Sequence, residues 1–289
     1  MRIDFCLTTL LRLAPRSGAP AIDAGLYAAL HKAGFGGVQT DSISEANKAG
    51  LVATAQAMSN DPAALDGIAE RHAAEGFDAT ILIAGNGLED NTEINRYCDA
   101  LLRASARHRH RMLLETHRGS ITQDIRRTMD MIQRFPELRF CADFTHWYMG
   151  HELSLAGFDE KLAFMQPLIN RTDIVEGRIG STNCAQVTLE SVHDDRHFVQ
   201  DHRRFWTACF KACLQRGQQT VFAPQLLPAV LTHGGIDYPI AYAQLRRSHH
   251  GGWEEQDNRW QQTLLHCDIA RECYAEAKQS VLPKSIDKS

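Results

Sequence analysis

Two stretches of the chain place groups capable of chemistry just past apolar runs. Met112-Leu-Leu114 leads into Glu115, Thr116, His117, Arg118, Gly119 and Ser120, and Leu138-Arg-Phe-Cys-Ala142 leads into Asp143 and His146. A carboxylate and an imidazole delivered twice in this way form a donor set for a divalent metal. Two strand ends that each deliver a carboxylate and a histidine suggest one shared site. The placement recurs elsewhere. Asp173-Ile-Val-Glu-Gly-Arg-Ile179 offers Glu176 and Arg178, and Gln219-Thr-Val-Phe-Ala-Pro224 leads into Gln225. Gly36-Gly-Val-Gln-Thr-Asp41 offers Gln39 and Asp41, and Ala79–Ala84 runs into the turn Gly85-Asn86-Gly87.

The elements that must position these groups follow from hydrophobic pattern. With Ile3–Leu10 and Leu51–Ala57, the apolar runs number eight, short enough for strands buried on both faces. Between them lie helical patterns over about Asp23–Ala33, Pro62–Glu75, Asn91–Arg107, Thr122–Arg134, Phe158–Asn170, Asp201–Arg216 and Glu254–Lys278. Gly34, Gly76 and Gly217 stop three of them, Pro136 stops a fourth, and Asn60-Asp-Pro62 opens one. Eight strand–helix alternations in one chain of this length match a single-domain α/β fold, the (β/α)8 TIM barrel, over residues 1–278, with a polar tail at 279–289. No glycine-rich phosphate fingerprint follows the first run, which disfavours a doubly wound nucleotide-binding sheet.

In such a barrel the polar residues at the strand ends converge on one face. Glu115, Asp143 and Glu176 would then share one low-dielectric cavity and repel one another, so either one holds a proton or a divalent cation holds them. Three carboxylates with one neutral oxygen donor form a hard site for Mn2+ or Mg2+, or for Zn2+ or Co2+ if a histidine turns in. Each assignment has a structural alternative. Glu115 could cap a helix or pair with Arg118, His146 could pack beside Trp147, and Glu176 could simply pair with Arg178.

These residues carry a resemblance. The chain resembles the xylose-isomerase-like TIM-barrel superfamily, and within it a bacterial branch of sugar phosphate isomerase/epimerase-type proteins. That branch shows Glu-Thr-His-Arg-Gly, found here at Glu115–Gly119, and Pro-Glu-Leu-Arg followed by Asp-x-Ser-His-Trp, found here as Pro136–Arg139 and Asp143-Phe-Thr-His-Trp147. The likeness runs from about residue 20 to 265. It implies one metal ion held by Glu115 on the fifth strand and Asp143 on the sixth, with His146 contacting substrate. On the seventh strand the branch has His-Ala-Arg-Val-Gly where this chain has Glu176-Gly-Arg-Ile-Gly180. On the eighth it has Pro-Glu-Phe-Gly-Pro where this chain has Pro224-Gln-Leu-Leu-Pro228. The neutral ligand thus moves from the seventh strand to Gln225 on the eighth, and the charge around the metal is kept.

The resemblance implies a divalent-metal-dependent isomerase acting on a sugar, sugar phosphate or polyol-like hydroxy-carbonyl compound. Glu115 or Glu176 would be the base, His146 or His117 the acid, and His117, Arg178, Gln39 and Asn86 would contact substrate. A two-base epimerase is disfavoured, because Gln225 cannot accept a proton at neutral pH. The alternatives are a lyase or dehydratase, a specialised biosynthetic enzyme, or a catalytically silent binding barrel of the same fold. Relatives imply a homo-oligomer, a dimer or tetramer.

Composition bounds the rest. Hydrophobic residues make up 44% and charged residues 23%, enough for a large core. A net charge of −4 provides no field for nucleic acid or an anionic membrane, so the expected partner is a small molecule. None of the eight cysteines forms a Cys-x-x-Cys pair, and Met1-Arg-Ile-Asp-Phe does not read as a signal peptide, so a reduced, cytoplasmic setting is expected. Phe205 and Trp206 read as core. Trp253 and Trp260 are candidates to cover the barrel mouth or to form an oligomer contact, and His249-His250 reads as a solvated loop rather than a metal site.

Overall fold

The computed structural model describes residues 1–13, 17–155, 157–233, 235–239, 245–247, 251 and 253–281. Eight parallel strands close in sequence order: β1 (Arg2–Cys6), β2 (Gly37–Gln39), β3 (Val52–Ser59), β4 (Thr80–Ala84), β5 (Met112–Glu115), β6 (Phe140–Asp143), β7 (Thr172–Gly177) and β8 (Val221–Pro224), with β8 pairing back onto β1. This is the expected (β/α)8 barrel. Two antiparallel hairpins follow β8, one of β9 (Val230–His233) with β10 (Ile236–Pro239), the other of β11 (Leu245–Arg247) with β12 (Trp253–Glu255).

The helices are α1 (Leu26–Lys32), α2 (Ile43–Lys48), α3 (Leu65–Glu75), α4 (Asn91–His108), α5 (Ile125–Arg134), α6 (Phe144–Gly150), α7 (Phe158–Phe164), α8 (Gln166–Ile169), α9 (His197–Gln215) and α10 (Arg259–Val281). Their ends are chemically marked. Asp90 and Glu93 form a reciprocal capping box on α4, Asp124 caps α5, and Gly76 ends α3 at φ 91°. The helix expected over Phe158–Asn170 is broken at Met165, because Pro167 starts a new turn. The last helix begins at Arg259 rather than Glu254, since Trp253–Glu255 is drawn into a hairpin. It runs to Val281, three residues into the expected tail. Residues 282–289, His249, His250 and the side chain of Trp253 lie outside the described residues.

Two apolar layers hold the barrel. The larger lies between strands and helices and contains Phe205 and Trp206, as expected, with Phe205 stacked on Phe144 at 4.0 Å. Trp260 belongs to this layer too, against Phe5 at 5.7 Å and Phe35 at 6.1 Å, and so does not cover the mouth. The smaller layer plugs the barrel interior with Ala79, Ile81, Leu113, Cys141, Ile174 and Val221. At the N-terminal ends of the strands, ion pairs link Arg2, Asp4, Asp78, Arg111, Asp173, Arg139 and Arg216, tying the bottom of the barrel together. Among the described residues, no helix is long and apolar enough to cross a membrane.

Candidate metal and proton-transfer site

Strand alternation carries the interior plug directly into the site. Leu113, Cys141 and Ile174 face the barrel axis, so the residues two further along each strand, Glu115, Asp143 and Glu176, face it one layer nearer the mouth. Asp143 and Glu176 are register partners on β6 and β7. One carboxylate oxygen from each of the three lies within 4.8 Å of the others, and all three residues are buried. A second set, Glu115, His117 and His146, meets the same spacing.

The loop after β5 is knitted into one shape. Thr122 Oγ1 donates to the Glu115 carbonyl at 2.6 Å and accepts the His117 N–H at 3.0 Å, and Trp147 Nε1 donates to the Thr122 carbonyl at 2.7 Å. Thr116 Oγ1 donates to the Asp143 carbonyl at 2.9 Å, joining the β5 and β6 corners. Thr145 Oγ1 donates to the Arg178 carbonyl at 2.6 Å, joining β6 to the residue beyond β7. The glycines of Glu176-Gly-Arg-Ile-Gly180 answer to packing. A Cβ on Gly177 would lie 1.9 Å from Phe222 Cζ, and one on Gly180 would lie 2.5 Å from Thr145 Cγ2.

Arg178 is the cation of this layer and is 1% exposed. Its Nη2 donates to Asp143 Oδ2 and, at 3.2 Å, to His146 Nε2. The other Asp143 oxygen, Oδ1, accepts the Thr145 N–H at 3.0 Å and so caps α6. Arg178 therefore neutralises a carboxylate of the protein itself. Asp143 Oδ2 lies 3.3 Å from the same nitrogen; where Nε2 accepts from the guanidinium, neutral His146 carries its proton on Nδ1. The His117 ring sits 4.1 Å from that of His146, and its Nδ1 accepts the Gly119 N–H at 3.1 Å, so neutral His117 carries its proton on Nε2.

The electrostatics separate the three acids. Burial, then the neighbouring charges of Glu176 and Asp143, push the Glu115 carboxyl well above the usual carboxylate range. Burial and Asp143 push Glu176 up as well, against hydrogen bonds from Gln39 and Gln56. Burial also opposes ionisation of Asp143, but Arg178 and the Thr145 N–H outweigh it and hold Asp143 below the usual value. Desolvation drives His146 down to about 3 and lowers His117, so both imidazoles are neutral at pH 7. The thiol of Cys6 is pushed up to about 12 by burial and by Glu176, which keeps it protonated.

The remaining sequence candidates fall in different places. Gln39 is in the cluster: its Nε2 donates to Glu176 Oε1 at 2.9 Å across the barrel. Gln225 is half-buried at the end of β8, where its backbone N–H donates to the Gly177 carbonyl at 3.2 Å. Asn86 is exposed and spends its side chain on its own turn, with Oδ1 accepting the Leu88 N–H at 3.0 Å. Gln56, whose amide offsets part of the rise in the Glu176 carboxyl, is a site residue the sequence reading missed. Its signal was parity: Thr54 and Gln56 are polar at alternate positions of an alanine-rich strand.

No protein-family model and no curated protein matches the chain. Solved structures do. A xylose isomerase-like TIM barrel protein from Mycobacterium smegmatis, solved in complex with magnesium, superposes with a TM-score of 0.54 at 12% identity, covering 94% of this chain and 97% of that one. A sugar phosphate isomerase/epimerase from Parabacteroides distasonis gives 0.53 at 11% identity, covering 94% and 96%. The probable 3-DHS dehydratase AsbF of Bacillus anthracis, involved in petrobactin synthesis, gives 0.51 at 12% identity, covering 78% and 92%. At these identities the likeness is one of architecture alone, and it agrees with the closed eight-stranded barrel: the chain has a (β/α)8 TIM-barrel fold.

Proposed function

We propose that this barrel is a divalent-metal-dependent enzyme that moves a proton beside the carbonyl group of a small hydroxy-carbonyl substrate such as a sugar, in the manner of an aldose–ketose isomerase. The observation that carries the reading is the meeting of three buried carboxylates, with ligand atoms within 4.8 Å, around a single guanidinium. Three negative charges against one positive charge call for either bound protons or a further cation. The residues fit a divalent ion: Glu115, Asp143 and Glu176 are hard oxygen donors, and Glu176 Oε2 is fully buried with no hydrogen-bond partner. The magnesium complex of the Mycobacterium smegmatis barrel is consistent with Mg2+ or Mn2+ here. Zn2+ or Co2+ would enlist His117 or His146. A bound ion would supply Lewis-acid polarisation of the carbonyl and stabilise negative charge developing on its oxygen.

The protein groups divide the remaining work. Asp143, held ionised by Arg178, is an anchor and a poor base. Glu115 and Glu176 hold protons more tightly than ordinary carboxylates, so one of them removes the proton next to the carbonyl and returns it to the neighbouring carbon. His117 Nε2–H and His146 Nδ1–H are neutral donors for substrate oxygens. They steady a hydroxyl or carbonyl oxygen without adding charge. Gln225, where the branch carries a glutamate, removes the second base on which two-faced epimerisation depends. That leaves single-base chemistry.

The test is proton exchange. Purified protein with Mn2+ is incubated in D2O with a panel of aldoses and ketoses, and deuterium at the carbon beside the carbonyl is read by NMR. Exchange that falls about 100-fold or more in both Glu115→Gln and Glu176→Gln, or in one of them, supports the reading. Exchange unchanged in both variants removes it.

A further inference from the structure

We infer that the neutral ligand of the proposed metal ion is the side-chain oxygen of Gln39 on β2, not Gln225 on β8. This rests on the metal-dependent reading above and changes which strand completes the site. Gln39 is 3% exposed, and its amide has one fixed orientation: Nε2 donates to Glu176 Oε1 at 2.9 Å. With Glu176 ionised, as it must be to hold a cation, the reverse orientation would set the amide oxygen against a carboxylate oxygen at that distance. Gln39 Oε1 is therefore the free end, and it is buried without a hydrogen-bond partner, as is Glu176 Oε2. Two orphaned oxygens on residues joined by a hydrogen bond, beside two more carboxylates, are costly unless a positive group or donor satisfies both. A single divalent cation does so, and an amide oxygen is a hard neutral donor suited to it.

Gln225 lacks these features. The register of β7 with β8 places Ala223, not Gln225, beside Glu176. Gln225 sits two residues nearer the mouth and is half-buried. Gln39 reaches Glu176 from the opposite side, through a strand that pairs with β1 at Cys6 and with β3 at Thr54. The ion would then be gripped from β2, β5, β6 and β7. The two glutamine amides, Gln39 and Gln56, would orient the β7 glutamate, so that Gln39 both positions a ligand and serves as one.

The test is calorimetric titration of metal-stripped, full-length protein with Mn2+ and with Zn2+, for wild type, Gln39→Leu, Gln39→His and Gln225→Leu, with circular dichroism confirming the fold. Wild type is expected to bind one equivalent of Mn2+. Gln39→Leu is expected to weaken Mn2+ by about tenfold or more, and Gln225→Leu by less than about threefold. Gln39→His separates ligation from positioning: an imidazole at a ligand position raises the Zn2+ to Mn2+ affinity ratio by about tenfold or more, whereas a residue that merely orients Glu176 leaves the ratio unchanged. That ratio also carries the test if Gln39→Leu does not fold. An unchanged ratio, or a larger loss in Gln225→Leu than in Gln39→Leu, overturns the assignment to Gln39 while leaving the metal site standing. Failure of wild type to bind Mn2+ overturns the metal-dependent reading itself.

Discussion

The crowding of Glu176 has a consequence that needs no substrate to measure. Burial and the Asp143 charge raise its carboxyl from 4.5 to about 7 in the folded protein. An acid raised in this way favours the folded state when it is protonated. Its contribution is fully present below pH 4.5 and is lost as the pH rises towards 7. Holding a proton to about pH 7 rather than 4.5 corresponds to about 3 kcal/mol, which the metal-free protein forfeits in alkaline solution. Glu176→Gln keeps the shape and the partner for Gln39 but removes the charge. In the presence of EDTA it should melt about 5 °C above wild type at pH 8 and within about 1 °C of it at pH 4.5. Saturating Mn2+ should reverse the order at pH 8, because the ion replaces the missing protons on wild type and finds one ligand fewer on the variant. Scanning calorimetry at a fixed heating rate reads all three conditions. A variant no more stable than wild type at pH 8 in EDTA, or one whose advantage is the same at pH 4.5, would refute the electrostatic reasoning.

Other perturbations bear on the supports of the site. Arg178→Met leaves Asp143 buried without its guanidinium and should cost about 3–5 kcal/mol in urea denaturation at pH 7.5, much of it restored by adding Asp143→Asn. A cost below about 1 kcal/mol would mean that the pair is not held as described. Asp173→Ala removes the shared partner of Arg111, Arg139 and Arg216 at the bottom of the barrel. It should lower stability by about 1–3 kcal/mol while leaving Mn2+ affinity untouched, as calorimetry would show. Gly177→Ala drives a methyl group into the Phe222 ring and should cost about 3 kcal/mol or prevent folding; Phe222→Leu should restore part of the loss.

Where sequence legibility ended can be followed residue by residue. The barrel was legible because each strand is a short apolar run ended by a polar group, and glycine or proline punctuates the helices. Glu115, Asp143 and Glu176 were legible for the same reason, as the first polar residues on the inward parity of their strands. The helix α2, at Ile43–Lys48, is too short for a periodic signal. The helix α6, at Phe144–Gly150, is buried along most of its length, and with Phe144, Trp147, Tyr148 and Met149 it reads like a continuation of β6. Partnerships were harder still. Gln39 and Glu176 are 137 residues apart and meet across the barrel interior, so no local pattern records their hydrogen bond. The pairing of Arg178 with Asp143 depends on the register of β6 with β7, which no local pattern records. Asn86 occupies a strand-end turn like the others, but its Asx-type hydrogen bond to Leu88 keeps its side chain at home.

A cation held among Glu115, Asp143 and Glu176 is the centre of the proposed site, and elemental analysis of purified protein tests for it most directly. After dialysis against Mn2+ or Mg2+ and passage through a desalting column, wild type should retain about one equivalent of the ion. Glu115→Ala and Asp143→Ala, folded by circular dichroism, should retain less than about a tenth of that. Wild type emerging free of metal, or variants retaining as much as wild type, would contradict it.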